Sequence, residues 1–170
     1  MQSPDPEPTA GRSRRPGARR SSPTANPRSA AVGTKPATTT VLDASALLAL
    51  LFGEPGAELV ANAIAEGAAI SAVNLGEVAT LLVRHGQDAA MLLARVREQV
   101  TVEPFTDTHA LAAGTLYSQT RKNGLSLADR ACLALARRLN AVAVTADRAW
   151  ADLELDITIR LIRPRSKRGP

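Results

Sequence analysis

Residues 38–51, Thr38-Thr39-Thr40-Val41-Leu42-Asp43-Ala44-Ser45-Ala46-Leu47-Leu48-Ala49-Leu50-Leu51, constrain the fold more than any other stretch. The β-branched residues at its start favour a strand. A carboxylate interrupts them at position 43, and the apolar residues after it return at helical spacing. The stretch therefore predicts a strand ending at Asp43 and a helix opening near Ala44. In an open α/β sheet, ligands bind outside the carboxyl ends of the strands, where Asp43 would stand. Asp is equally a favoured helix N-cap, so this junction alone leaves function and capping both open.

The same grammar runs on. The first helix stops at Gly53, with Pro55-Gly56 as a turn. Helices follow over Glu58–Glu66, from Val73 to about His85, over Asp88–Gln99, from Thr106 or Asp107 to about Lys122, and from Ser126 through Leu139. Short strands are predicted at Ala68–Ser71, Val100–Val102, Ala141–Thr145 and Ile157–Ile162, with a helical turn at Arg148–Leu153. Strands alternating with helices imply an α/β fold: a central, mainly parallel sheet with helices on both faces.

Charge is divided unevenly. Residues 1–40 carry seven basic groups against two acids, and Arg163, Arg165, Lys167 and Arg168 lie in the last eight residues. The body, 41–162, then holds 10 basic against 14 acidic groups, a net of −4. The basic pI belongs to the ends. Residues 1–37 are rich in Pro, Ser, Arg and Gly, which predicts a disordered leader; residues 38–162 form the domain and 163–170 a basic tail. Cys132 is the only cysteine, which excludes an intrachain disulfide and a CxxC zinc site and agrees with a reducing cytoplasm. No apolar run approaches the ~20 residues of a membrane span.

Three further acids have settings that matter. Glu77 lies within Ser71-Ala72-Val73-Asn74-Leu75-Gly76-Glu77-Val78, a nearly apolar helix start, with Asn74 one turn back on its face. Asp129 follows Leu125-Ser126-Leu127-Ala128; Ser126 with Asp129 is also a capping box. Asp147 ends the strand Ala141–Thr145 and precedes a helical turn, repeating the setting of Asp43. Acids gathered at one sheet edge repel one another unless a cation neutralises them. All-oxygen ligation favours Mg²⁺ or Mn²⁺.

These segments, Val41-Leu42-Asp43-Ala44-Ser45, the Asn74/Glu77 helix, Leu125-Ser126-Leu127-Ala128-Asp129 and Val144-Thr145-Ala146-Asp147, resemble the four acidic motifs of PIN domains. Their spacing is similar to that of the VapC-type ribonuclease toxins of bacterial toxin–antitoxin pairs, over about residues 40–162. The resemblance implies a three-layer α/β/α nuclease with Mg²⁺ or Mn²⁺ held by Asp43, Glu77, Asp129 and Asp147, supported by Ser45, Asn74 and Thr145. It further implies an RNA substrate, a cognate antitoxin packed on the helices near Glu58–Glu66 and Val73–Arg84, and a homodimer.

Two other readings compete. A phosphohydrolase using Asp43 as nucleophile calls for a second acid two residues on, where Ser45 stands, and for a phosphate-binding lysine; the body has only Lys122. A non-catalytic nucleic-acid-binding protein would rely on the basic ends, but no recognition helix or aromatic stacking surface is evident in the sequence. His85 and His109 lack a partner at ligand spacing. Cys132, among alanines and leucines, reads as packing. Arg130 and Arg148, each following an acid, read as surface charges, with phosphate contact as the alternative.

Overall fold

The computed structural model describes residues 39–163. The expectations for residues 1–37 and for the tail after 163 lie outside the described residues. Five strands, β1 (Thr40–Leu42), β2 (Ala68–Ser71), β3 (Thr101–Glu103), β4 (Val142–Thr145) and β5 (Ile159–Leu161), pair in the order β3-β2-β1-β4-β5. Every pairing is parallel. Seven α-helices connect the strands: α1 (Ala44–Leu51), α2 (Ala57–Gly67), α3 (Ala72–Arg84), α4 (Ala89–Gln99), α5 (Asp107–Thr115), α6 (Tyr117–Thr120) and α7 (Leu127–Leu139). Short 3-10 turns cover Arg121–Asn123 and Arg148–Asp152.

The pleat sends alternate residues to opposite faces, and the two cores record it. Leu42, Ile70 and Val144 join residues of α1 to α4, including Leu47, Val60, Val78 and Leu82. Val41 and Ala143 join Leu116, Cys132, Leu133, Leu135 and Trp150 on the other side. This is the three-layer α/β/α arrangement, with both sheet faces covered as parallel strands require.

Helix starts follow side-chain chemistry. Asp43, Ser71, Asp88, Thr106 and Ser126 each accept a backbone N–H of the helix they open. Asn140 closes α7 in the left-handed region, φ 49°, which Asn tolerates. Gly56, at φ 97°, is required on two counts: a Cβ there would stand 2.6 Å from the Ile162 carbonyl oxygen. The turn before α2 is thereby pressed against the end of the last strand.

One long helix is absent. The helix expected to run on to about Lys122 breaks after Thr115 and restarts at Tyr117. Gly114 weakens the helix there, and the Thr115 hydroxyl donates back to the Ala112 carbonyl at 2.8 Å, competing with the backbone ladder.

Candidate active site

The strand order reverses between β1 and β4, since β2 and β3 lie to one side of β1, and β5 lies beyond β4. A crevice opens beyond the carboxyl ends of strands at such a switch point. Leu42 pairs with Val144, so Asp43 and Thr145 leave the sheet side by side.

Asp43 is 3% exposed and its carboxylate receives four donors. The Asn74 Nδ2 donates to Oδ1 at 3.1 Å. Oδ2 accepts the Ser45 backbone N–H at 3.2 Å, the Ser45 hydroxyl at 2.5 Å and the Thr145 hydroxyl at 3.0 Å. Each hydroxyl has one hydrogen, given to Asp43, and each accepts a backbone N–H in turn: Ala146 on Ser45 Oγ at 2.9 Å, Asp147 on Thr145 Oγ1 at 3.0 Å. Two hydroxyls thus lock the end of β1 to the loop after β4. Burial nevertheless pushes the Asp43 carboxyl above its ordinary 3.8; the hydrogen bonds from Ser45 and Thr145 oppose this and the charge of Asp129 adds to it.

Asn74 joins a third element. Its other amide hydrogen donates to the Ala128 carbonyl at 3.1 Å. Both Nδ2 partners are acceptors, so the amide has one admissible orientation. Its Oδ1 is then buried without a partner among the described residues. The Ala128 contact brings the first turn of α7, and with it Asp129, alongside Asp43. Asp129 Oδ2 accepts the Ser126 N–H at 2.6 Å and Ser126 Oγ accepts the Asp129 N–H at 3.2 Å. The capping box expected from the sequence is therefore present. Capping and a charged role coexist, because Asp129 also raises the pKa of both Asp43 and Glu77.

Glu77, on α3, is exposed. Its carboxyl is raised above 4.5, first by partial burial and then by Asp43 and Asp129. Asp147 caps the 3-10 turn over Arg148–Asp152, its Oδ1 accepting the Ala149 N–H at 2.9 Å. It is exposed, and with Ser45, Leu48, Phe52 and His85 it lines a cavity of about 420 Å³. Asp43, Glu77 and Asp129 thus form one electrostatic group, and Asp147 borders it from the next strand.

The ion pairs among the described residues, Arg138–Glu103 at 2.5 Å and Arg163–Glu54, leave these acids without a protein cation. As the side chains stand, no three His, Cys, Asp or Glu among the described residues form a ready metal-holding group. Cys132 is fully buried and its thiol is pushed well above 9.0, by burial first and then by Asp43 and Asp129; it is packing, not a nucleophile. His109 binds the Pro104 carbonyl and His85 stands edge-on to Phe52. Sequence reading missed Tyr117: its ring lies 5.3 Å from the Arg130 guanidinium, a pairing that only the packing of α5 and α6 on α7 creates.

The structure is similar to several solved structures. These include a toxin–antitoxin complex from Klebsiella pneumoniae, at TM-score 0.59 and 18% identity over 74% of this chain and 98% of that one. The Sarcin-Ricin loop cleaving toxin VapC20 of Mycobacterium tuberculosis gives 0.57 and 24% over 71% and 99%. VapBC-1 from nontypeable Haemophilus influenzae gives 0.59 and 16% over 73% and 98%. At these identities the likeness concerns the fold. No curated protein matches the chain in sequence. Among the described residues no helix is long and apolar enough to cross a membrane. Residues 40–155, which carry all four acids and the first four strands, match the PIN domain, and the chain belongs to that family.

Proposed function

We propose that this protein is a divalent-metal-dependent endoribonuclease acting as the toxin of a toxin–antitoxin pair. One observation carries the reading: at the switch point of the sheet the charge of Asp129 raises the carboxyls of Asp43 and Glu77, Asp43 raises that of Glu77, and none of the three has an ion-pair partner among the described residues. Such a group is stabilised by a cation. The donors are all carboxylate oxygens, with the orphaned Asn74 Oδ1 beside them, and this set fits a hard ion. A closed cage is not needed, because Mg²⁺ usually keeps several waters and binds through one or two carboxylates plus substrate phosphates.

Asp43, Glu77, Asp129 and Asp147 would hold Mg²⁺ or Mn²⁺. The ion would supply charge stabilisation for the phosphate and lower the pKa of water. Asp43, fixed by four donors, anchors the site. Glu77, exposed and with a raised pKa, is the carboxylate placed to take a proton from the attacking water. Asp129 is held at the start of α7 by Ser126, and Asp147 closes the edge toward the cavity.

The similar structure from Klebsiella pneumoniae is a toxin–antitoxin complex, which supports an antitoxin partner. Leu47, Leu51, Ile64, Leu92 and Val96 line a groove of about 220 Å³ between α1, α2 and α4, suited to an apolar antitoxin segment. A basic side chain from that partner would neutralise the acids. A second copy of the chain completes the assembly by analogy. The phosphohydrolase reading fares worse, because the second acid it calls for two residues after Asp43 is Ser45, whose hydroxyl donates to Asp43 Oδ2 at 2.5 Å.

The test is cleavage of a single-stranded RNA by wild type and Glu77→Gln, with Mg²⁺ or Mn²⁺ and with EDTA. Cutting that requires both the metal and Glu77 is expected. Equal cutting in EDTA, or an unimpaired Glu77→Gln protein, defeats the proposal.

A further inference from the structure

Aromatic residues are scarce: two Phe, one Trp and one Tyr in the whole chain. Trp150 is buried and Phe105 packs against the core. Phe52 stands edge-on to the His85 ring and lines a cavity with Asp147 and the ion pair Glu54–Arg163, with no cation over its face among the described residues. Tyr117 differs: it is 56% exposed and has a cation, Arg130, over its face.

That cation is held in place. Arg130 donates from Nη1 to the Leu125 carbonyl at 2.7 Å while its guanidinium lies over Tyr117. Its Nε is buried and has no acceptor among the described residues. Arg121 and Lys122, directly after α6, are exposed, as is Leu127 at the start of α7. The location is equally specific. Arg138 pairs with Glu103 near the C-terminal end of α7, and Arg130 meets Tyr117 at its N-terminal end, one residue beyond Asp129. An exposed ring among basic side chains, in an otherwise acidic body, is the composition of a single-stranded nucleic-acid surface.

We infer that Tyr117 and Arg130 form a stacking seat for one base of single-stranded RNA, beside the acidic group, with Arg121 and Lys122 alongside the backbone. The inference rests on the ribonuclease reading and adds a positioning site to it. Stacking on the free ring face accepts any base, and the guanidinium fixes the ring and adds positive charge. The seat therefore sets where the strand lies without dictating its sequence.

The experiment uses the full chain in EDTA, so that binding is read without metal-dependent cleavage. A short fluorescein-labelled single-stranded RNA, and the same RNA with one abasic position at a time, are titrated by fluorescence anisotropy. Tyr117→Ala is expected to weaken binding of the intact RNA about five- to hundredfold, the range for one lost stacking contact. Tyr117→Phe keeps the ring and should stay within about twofold of wild type. One abasic position should weaken wild type by a similar factor and leave Tyr117→Ala unaffected. The abasic series uses the unaltered protein, so it decides the matter even if a variant folds poorly. If Tyr117→Ala matches wild type, or no abasic position matters, the seat is overturned while metal-dependent cleavage can still stand. Failure of wild type both to bind and to cut RNA overturns the seat and the ribonuclease reading together.

Discussion

Asp43 and Asp147 occupy the same kind of place in the sequence. Each ends a strand, each opens a helical segment, and their strands are parallel neighbours. Their surroundings differ sharply. Asp43 is buried under α3 and α7 and holds four donors from three segments of the chain. Asp147 is exposed and its side chain accepts one N–H from its own turn. The difference comes from position in the sheet: β1 is the middle strand, with helices of both layers converging on its end. A strand–acid–helix motif thus specifies where a carboxylate points, while the tertiary neighbours specify its charge behaviour.

The same substitution at both corners gives the largest expected contrast. Asn caps a helix as well as Asp does, so Asp147→Asn should change metal-free stability by less than about 0.5 kcal/mol. At position 43 both oxygens accept N–H donors, from Asn74 and from Ser45. An amide there must turn its own NH₂ toward one of them. Asp43→Asn should therefore lower stability by about 1–3 kcal/mol, less whatever burial of the charge had cost, and abolish metal-dependent cleavage. Denaturant unfolding in EDTA measures the first part. A fully stable Asp43→Asn protein would show that the four-donor clamp is not as described. From the sequence alone, tolerance at position 43 is the natural expectation; the Asn74 amide, donating to Oδ1, argues for a loss instead.

A comparable loss of stability, with the carboxylate itself retained, is expected from Thr145→Val, which keeps the shape and removes one donor. Loss of a hydrogen bond to a charged group costs about 1.5–3 kcal/mol. Here the same hydroxyl also accepts the Asp147 N–H, so the loop after β4 should loosen as well. Faster amide exchange at Asp147 in Thr145→Val, with little change at Gln99 in the other layer, would support the clamp. Uniform change would argue against it.

The pH dependence is subtler. Asp43 and Glu77 have raised carboxyls in the folded state, so between the unfolded and folded values the native protein binds more protons. Stability is then greatest below the unfolded value and falls as pH rises through the folded one. Metal-free wild type should lose stability from about pH 4 upward. Glu77→Gln should shallow that decline. A decline that is equally steep in Glu77→Gln would remove Glu77 from the coupled group.

Much of this was legible in the sequence. Periodicity and punctuation located every strand within two or three residues and the helix starts at Asp43, Asp88, Thr106 and Ser126, while the helix expected from Val73 opens one residue earlier, capped by Ser71. The Ser126–Asp129 capping box is local, hence readable. What the sequence withholds is contact between distant segments. Asn74 reaches Asp43 across 31 positions and Ala128 across 54, and Thr145 reaches Asp43 across 102. Burial of one strand-end acid but not the other follows from those contacts. The break at Thr115 was hidden because Ala and Leu on either side keep helical spacing, and Tyr117 gains meaning only once Arg130 is packed above it.

The central claim is that the acids at the switch point hold a divalent cation. The most direct measurement is thermal unfolding of wild type, Glu77→Gln and Asp147→Asn against increasing Mn²⁺ or Mg²⁺. A ligand that binds only the native state raises the midpoint as its concentration grows. Wild type should be stabilised progressively, by about 2.7 kcal/mol at a hundred times the dissociation constant. Glu77→Gln, exposed and stably folded, should shift far less, and Asp147→Asn should lie between them. A wild type whose midpoint ignores both metals, or a Glu77→Gln protein stabilised as strongly as wild type, would contradict the claim.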